Sequence, residues 1–138
     1  MIIQQISIFL ENVAGRLAEV TKLLAKEGIN IRAMTIADTA DFGILRIVVD
    51  QPDKTLKALR DAGFTARATE VLAVEVEDKP GGLAKVMEIF KQNRVNIEYL
   101  YVSLEKNKEK AVVIFKVEDL KLGKKIVEEH GLGGTVNL

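Results

Sequence analysis

ENVAGRLAEVTKLLAKEGINI, residues 11–31, lies over EDKPGGLAKVMEIFKQNRVNI, residues 77–97, when the chain is shifted by 66 positions. Glu11/Glu77, Gly15/Gly81, Leu17/Leu83, Ala18/Ala84, Val20/Val86, Asn30/Asn96 and Ile31/Ile97 are identical. Leu23/Ile89, Leu24/Phe90 and Ile29/Val95 are conservative. Polar and glycine positions match along with apolar ones, so the chain reads as a duplication.

The flanks of both segments carry the same order of elements. Ile6–Leu10 and Leu72–Val76 precede them as strands, and the second alternates Leu72, Val74 and Val76 against Ala73 and Glu75, the two-residue period of a strand. Within the segments, Leu17, Val20, Leu23 and Leu24, like Leu83, Val86, Ile89 and Phe90, recur at helical intervals. Gly28 sits where a left-handed residue stops a helix, and Arg94 must fill that place without glycine's freedom. Two hairpins follow. Residues 29–37 and 43–49 are joined through the polar 38–41, and residues 95–104 and 111–117 through the charged 105–110. A helix is expected from Pro52 to Ala62, ahead of Gly63, and another from about Glu118 to His130, weakened by Gly123 in its middle. Final strands are expected at 64–69 and 134–138. Each half thus reads strand–helix–strand–strand–helix–strand. The fold class is α+β: two ferredoxin-like βαββαβ domains in tandem, 1–69 and 70–138, each an antiparallel sheet with both helices on one face. No Gly-, Ser- or Pro-rich linker parts them. The third strand of the first half is apolar on both faces, which predicts a covering layer over the side without helices, from the other half or from a second chain, and motivates a homodimer.

Composition removes several classes of function. Of the 138 residues 48% are apolar, enough for a packed core. Twenty acidic residues balance twenty basic ones, which argues against nucleic acid as a partner. There is no cysteine and one histidine, His130, so thiolate and multi-histidine metal sites are not expected, nor any cofactor. No apolar run approaches the roughly 20 residues of a membrane span. The first residues do not resemble a signal peptide, so a cytoplasmic location is expected. No phosphate loop, dinucleotide fingerprint, HExxH or GxSxG occurs. Ser7 and Ser103 lie in strands without a neighbouring histidine. Glu75 and Glu77 read as a solvated strand face, and His130 as a helix C-cap. No catalytic residue is assigned.

The strand-to-helix loop, present twice, supports two readings. Asn12 and Asp78 are residue types that cap helices, which makes the loop a structural turn. Equally, bare amides at a helix start, approached closely beside glycine, suit a carboxylate. Asn30 and Asn96 either end the helix turn or offer a donor and an acceptor to a zwitterion.

Asp78-Lys79-Pro80-Gly81-Gly82-Leu83, followed by Val95-Asn96-Ile97, resembles the ACT domain, a small-molecule-sensing module. Asn12 to Leu17 with Ile29-Asn30-Ile31 resembles a second, divergent copy. The resemblance covers nearly the whole chain and implies a non-enzymatic regulatory protein that binds a free amino acid at ACT–ACT interfaces. It implies ligand-binding roles for Asp78, Pro80, Gly81, Gly82, Leu83, Asn96 and Ile97, and in the first copy for Asn12, Gly15, Arg16, Leu17, Asn30 and Ile31. The first copy departs from the motif: Asn12 replaces aspartate, Ala14 replaces proline, and Arg16 stands where the second has Gly82. Coulomb's law then favours a ligand carboxylate at the first loop and an ammonium at Asp78. The alternative implied by the family is a regulatory subunit that docks on a metabolic enzyme. A transcriptional regulator similar to glycine-cleavage repressors would need a partner to reach DNA, and a small ferredoxin-like enzyme ranks last.

Overall fold

The computed structural model describes residues 1–38, 41–104 and 109–133. The chain forms β1 (Ile2–Glu11), α1 (Arg16–Lys26), β2 (Ile31–Asp38), β3 (Phe42–Val49), α2 (Pro52–Asp61), β4 (Thr65–Glu77), α3 (Gly82–Gln92), β5 (Ile97–Leu104), β6 (Lys110–Val117) and α4 (Leu120–Glu129). The order strand–helix–strand–strand–helix therefore occurs twice, and a sixth element, β4, completes the first copy. The two strands expected at 64–69 and 72–76 are one continuous β4, which serves as the last strand of the first copy and the first strand of the second. The tips of both hairpins and the final strand expected at 134–138 lie wholly or partly outside the described residues.

The chain divides into two compact units, one of Gln4–Thr69, the other of Met1–Ile3 with the residues from Glu70 onward. In the first, the strand order is β2-β3-β1-β4, with β3 antiparallel to both β1 and β2. The register sets Ile6 opposite Ile47 and Ile8 opposite Leu45. These side chains share one face of the sheet and pack with Val20 and Leu24 of α1 and Leu59 of α2. Both helices therefore lie on that face. In the second unit β6 pairs antiparallel with β4 and β5. Leu72, Val74, Phe115 and Val113 meet Val86 and Phe90 of α3 and Ile126 and Val127 of α4. Phe90 and Phe115 meet edge to face, with centroids 5.2 Å apart. Each such fully buried side chain contributes about 1.5–3 kcal/mol by leaving water.

In the second unit β4 is also bonded to the first residue of the sequence. Met1 donates from its amine to the Ala73 carbonyl at 3.1 Å, and the Ala73 amide donates to the Met1 carbonyl at 2.8 Å. Parts of the faces away from the helices are also buried: Ala33 and Val48 in one unit, and Tyr101, Val112 and Ile114 in the other.

Helix ends follow local chemistry. Asp119 caps α4 by accepting from the Leu122 amide at 3.1 Å. Gly123 is in that helix for a packing reason: a Cβ there would stand 2.8 Å from Leu72 Cδ1 and 3.0 Å from Val117 Cγ2. After α1 the chain turns through Gly28 at φ 71°, and after α3 through Arg94 at φ 57°. His130 occupies the C-cap of α4 and its Nδ1 lies 3.0 Å from the Ile126 carbonyl.

Candidate functional site

The loop between β1 and α1 and the loop between β4 and α3 are built by the same four backbone hydrogen bonds. The Asn12 amide donates to Asp41 O at 3.0 Å, and the Asp78 amide to Glu109 O at 2.8 Å, tying each loop to the hairpin beside it. Val13 donates to Glu11 O and Lys79 to Glu77 O. Arg16 donates to Val13 O at 3.4 Å and Gly82 to Lys79 O at 3.0 Å. The fourth pair opens each helix, Glu19 to Gly15 O and Lys85 to Gly81 O.

The capping expectation for Asn12 and Asp78 is corrected by this geometry. The residues at the N-caps are Gly15 and Gly81, both left-handed at φ 92° and 87°, and neither helix start receives a side-chain cap. Three residues separate each expected cap from the actual one, because the chain makes a complete turn through glycine before the helix begins. Among the described residues no protein group accepts from the amides of Leu17 and Ala18 or of Leu83 and Ala84. Each loop thus leaves two donors and the positive end of its own helix dipole for water or an anion. Pro80 precedes Gly81 in the second loop, where Ala14 precedes Gly15 in the first.

Asn30, Ile31, Asn96 and Ile97 do not join the loops within their own copies. Each lies past the far end of an 11-residue helix, about 16 Å along its axis. There the Asn30 amide donates to Asp50 Oδ1 at 3.0 Å, and Asn96 Nδ2 donates to Glu118 Oε2 at 2.9 Å. Ile31 and Ile97 pack at the margins of the two cores. These contacts clasp the helix-to-strand junctions.

Beside each loop there is a cleft at the same place in the fold. In the first copy it has a volume of about 370 Å³ and is lined by Phe9, Glu11, Arg16, Phe42, Gly63 and Phe64, among others. In the second it is about 180 Å³, and Glu75, Glu77, Gly82, Lys110, Gly131 and Leu132 stand in the corresponding positions. Register makes the correspondence: Phe42 lies opposite Glu11, and Lys110 opposite Glu77. Arg16 pairs with Glu19 at 2.7 Å, and its guanidinium lies 5.0 Å from the centre of the Phe64 ring. In the second copy the carboxylates are answered by lysines, Lys79–Glu77 at 2.7 Å and Lys110–Glu75 at 3.7 Å. The hydrogen bond from the Lys79 ammonium holds the Glu77 carboxyl below the usual carboxylate range. The sequence reading included Arg16 and Gly82 but missed Phe9, Phe42, Phe64 and the lysines.

A family model described as an ACT domain pair matches residues 1–133. The chain belongs to the ACT domain pair family. As an ACT pair it is similar to a solved protein from Bacteroides thetaiotaomicron, with 42% identity, a TM-score of 0.90, and 96% of this chain and 91% of that one covered. At 18% identity and a TM-score of 0.65, it shares its fold with the ligand-free regulatory subunit of aspartate kinase from Thermus thermophilus, over 94% of this chain and 96% of that one. The corresponding subunit from Thermus flavus matches at 19% identity and a TM-score of 0.63, over 94% of each chain. No match was found among curated proteins. Among the described residues no helix of this ACT pair is long and apolar enough to cross a membrane, and no three metal-ligating side chains cluster.

Proposed function

We propose that this ACT pair is a non-enzymatic, cytoplasmic regulatory protein that binds a free amino acid through its strand-to-helix loops. The observation that carries the reading is the pair of uncapped helix starts. The amides of Leu17, Ala18, Leu83 and Ala84 suit an α-carboxylate, and Gly15 and Gly81 let a ligand approach the backbone closely. Arg16 reinforces the preference for an anion in the first loop, and Asp78 offers the second an acceptor for an ammonium. Such a ligand regulates by binding one arrangement of the protein better than another.

A second reading, a subunit that docks on a metabolic enzyme, is favoured by the edge strands. Met34 and Ile36 on β2, and Leu100 and Val102 on β5, are exposed large apolar side chains. They occupy equivalent places in the two copies, and an apolar edge strand invites pairing with another chain. The same surface serves a homodimer. Relatives in fold include regulatory subunits of aspartate kinase, which supports docking on an enzyme of amino-acid metabolism.

A thermal-shift panel of the twenty amino acids tests the first reading. A ligand at 100 times its Kd adds about 2.7 kcal/mol and raises the melting temperature by several degrees. A flat panel at millimolar concentration refutes amino-acid binding. Light scattering at micromolar concentration tests the dimer, which a monomer mass would exclude.

A further inference from the structure

We infer that the cleft of the first copy takes the side chain of an aromatic or branched aliphatic 2-amino or 2-oxo acid, with Arg16 holding its carboxylate. The inference rests on the proposed binding function and supplies the ligand class. Phe9, Phe42 and Phe64, three of the five phenylalanines in the chain, line this one cleft. Phe9 and Phe42 meet edge to face at 6.4 Å yet remain 53% and 49% exposed. Two large rings left in water beside a concavity form a surface that gains by being covered. The volume of about 370 Å³ lies in the range of small-molecule pockets.

Arg16 supplies the polar anchor. Its Nη1 is committed to Glu19 and its guanidinium rests on Phe64, so the fork is held in place rather than free in solvent. Its Nε is buried and has no hydrogen-bond acceptor among the described residues. The side chain as a whole remains 31% exposed and lines the cleft, where the accessible part of its planar fork suits a carboxylate. Glu11, on the same cleft, is placed to receive an ammonium.

The second copy shows that the fold does not require these features. Where the first has Phe9, Arg16 and Phe42, it has Glu75, Gly82 and Lys110, in a cleft half the size whose charges pair with one another. The apolar, cationic cleft is therefore a property of the first copy alone.

Calorimetry on the full chain, and on Arg16→Gln and Phe42→Lys variants, tests the assignment. Both sites are partly or largely exposed, and unliganded melting temperatures report whether the variants fold. The probes are L-phenylalanine, L-leucine, glycine, L-aspartate and phenylpyruvate. The expected result is binding of phenylalanine or leucine, at least about tenfold weaker in each variant, with glycine and aspartate binding at least about tenfold more weakly than phenylalanine or leucine. Binding of phenylpyruvate without any amino acid would support the cleft and overturn the amino-acid reading. Preference for glycine or aspartate, or apolar binding unaffected by both substitutions, would overturn the cleft while leaving amino-acid binding intact. No binding by any probe overturns the cleft, and a flat panel of all twenty amino acids overturns the binding reading as well.

Discussion

The two copies close the same loop at different cost, and position 16 in one against position 82 in the other shows why. A Cβ on Gly82 would stand 2.0 Å from the Glu77 carbonyl oxygen, so the second loop exists only with glycine there. Arg16 carries a Cβ at the equivalent point, and the bond from its amide is 3.4 Å where that of Gly82 is 3.0 Å. The first loop has slackened to admit a side chain, and that side chain projects into the cleft. A tight turn and a cation beside the ligand surface are alternatives at this position. One copy has each.

Gly82→Ala should give the largest effect. The added methyl meets backbone that cannot rotate away, which predicts a loss of about 3 kcal/mol in urea denaturation. Arg16→Ala, which removes one exposed ion pair and one stacked cation, should cost no more than about 1 kcal/mol. Equal losses at the two positions would mean that the loops are not distinguished by steric closure.

A smaller contrast lies where the helices stop. Arg94 holds a left-handed conformation that Gly28 adopts without strain. Arg94→Gly should raise stability by about 0.5 kcal/mol, the net of relieved strain and added unfolded-state entropy, whereas Gly28→Ala should lower it by about 1 kcal/mol. Thermal melts of both variants check the opposite signs.

The smallest effect is electrostatic. Lys79 lowers the pKa of Glu77, so the folded state favours the carboxylate. Its contribution is present above the unfolded value of about 4.5 and is lost as pH falls through the depressed folded value. An NMR titration should place Glu77 below the ordinary carboxylate range, and Lys79→Ala should return it there.

The repeated architecture was legible because its determinants are local. Leu17, Val20 and Leu24 announce a helix by spacing alone, and Leu72, Val74 and Val76 a strand by alternation. Asn12 and Asp78 misled because a good capping side chain is useful only at the residue where the helix begins, and a left-handed glycine moved that point onward. Phe9, Phe42 and Phe64 stand far apart in the chain, and Phe42 reaches the cleft only because β3 pairs with β1 in one particular register. No local pattern carries that information, whereas the identical glycines at 15 and 81 marked the loop itself.

The pairing of Met1 with Ala73 ties together two segments that lie 72 residues apart in the sequence. During synthesis the earlier segment lacks this partner until Ala73 has emerged. A free second copy cut at Glu70 would likewise leave the Ala73 amide and carbonyl without these partners. Splitting the gene at the repeat boundary should therefore leave both fragments without these hydrogen bonds.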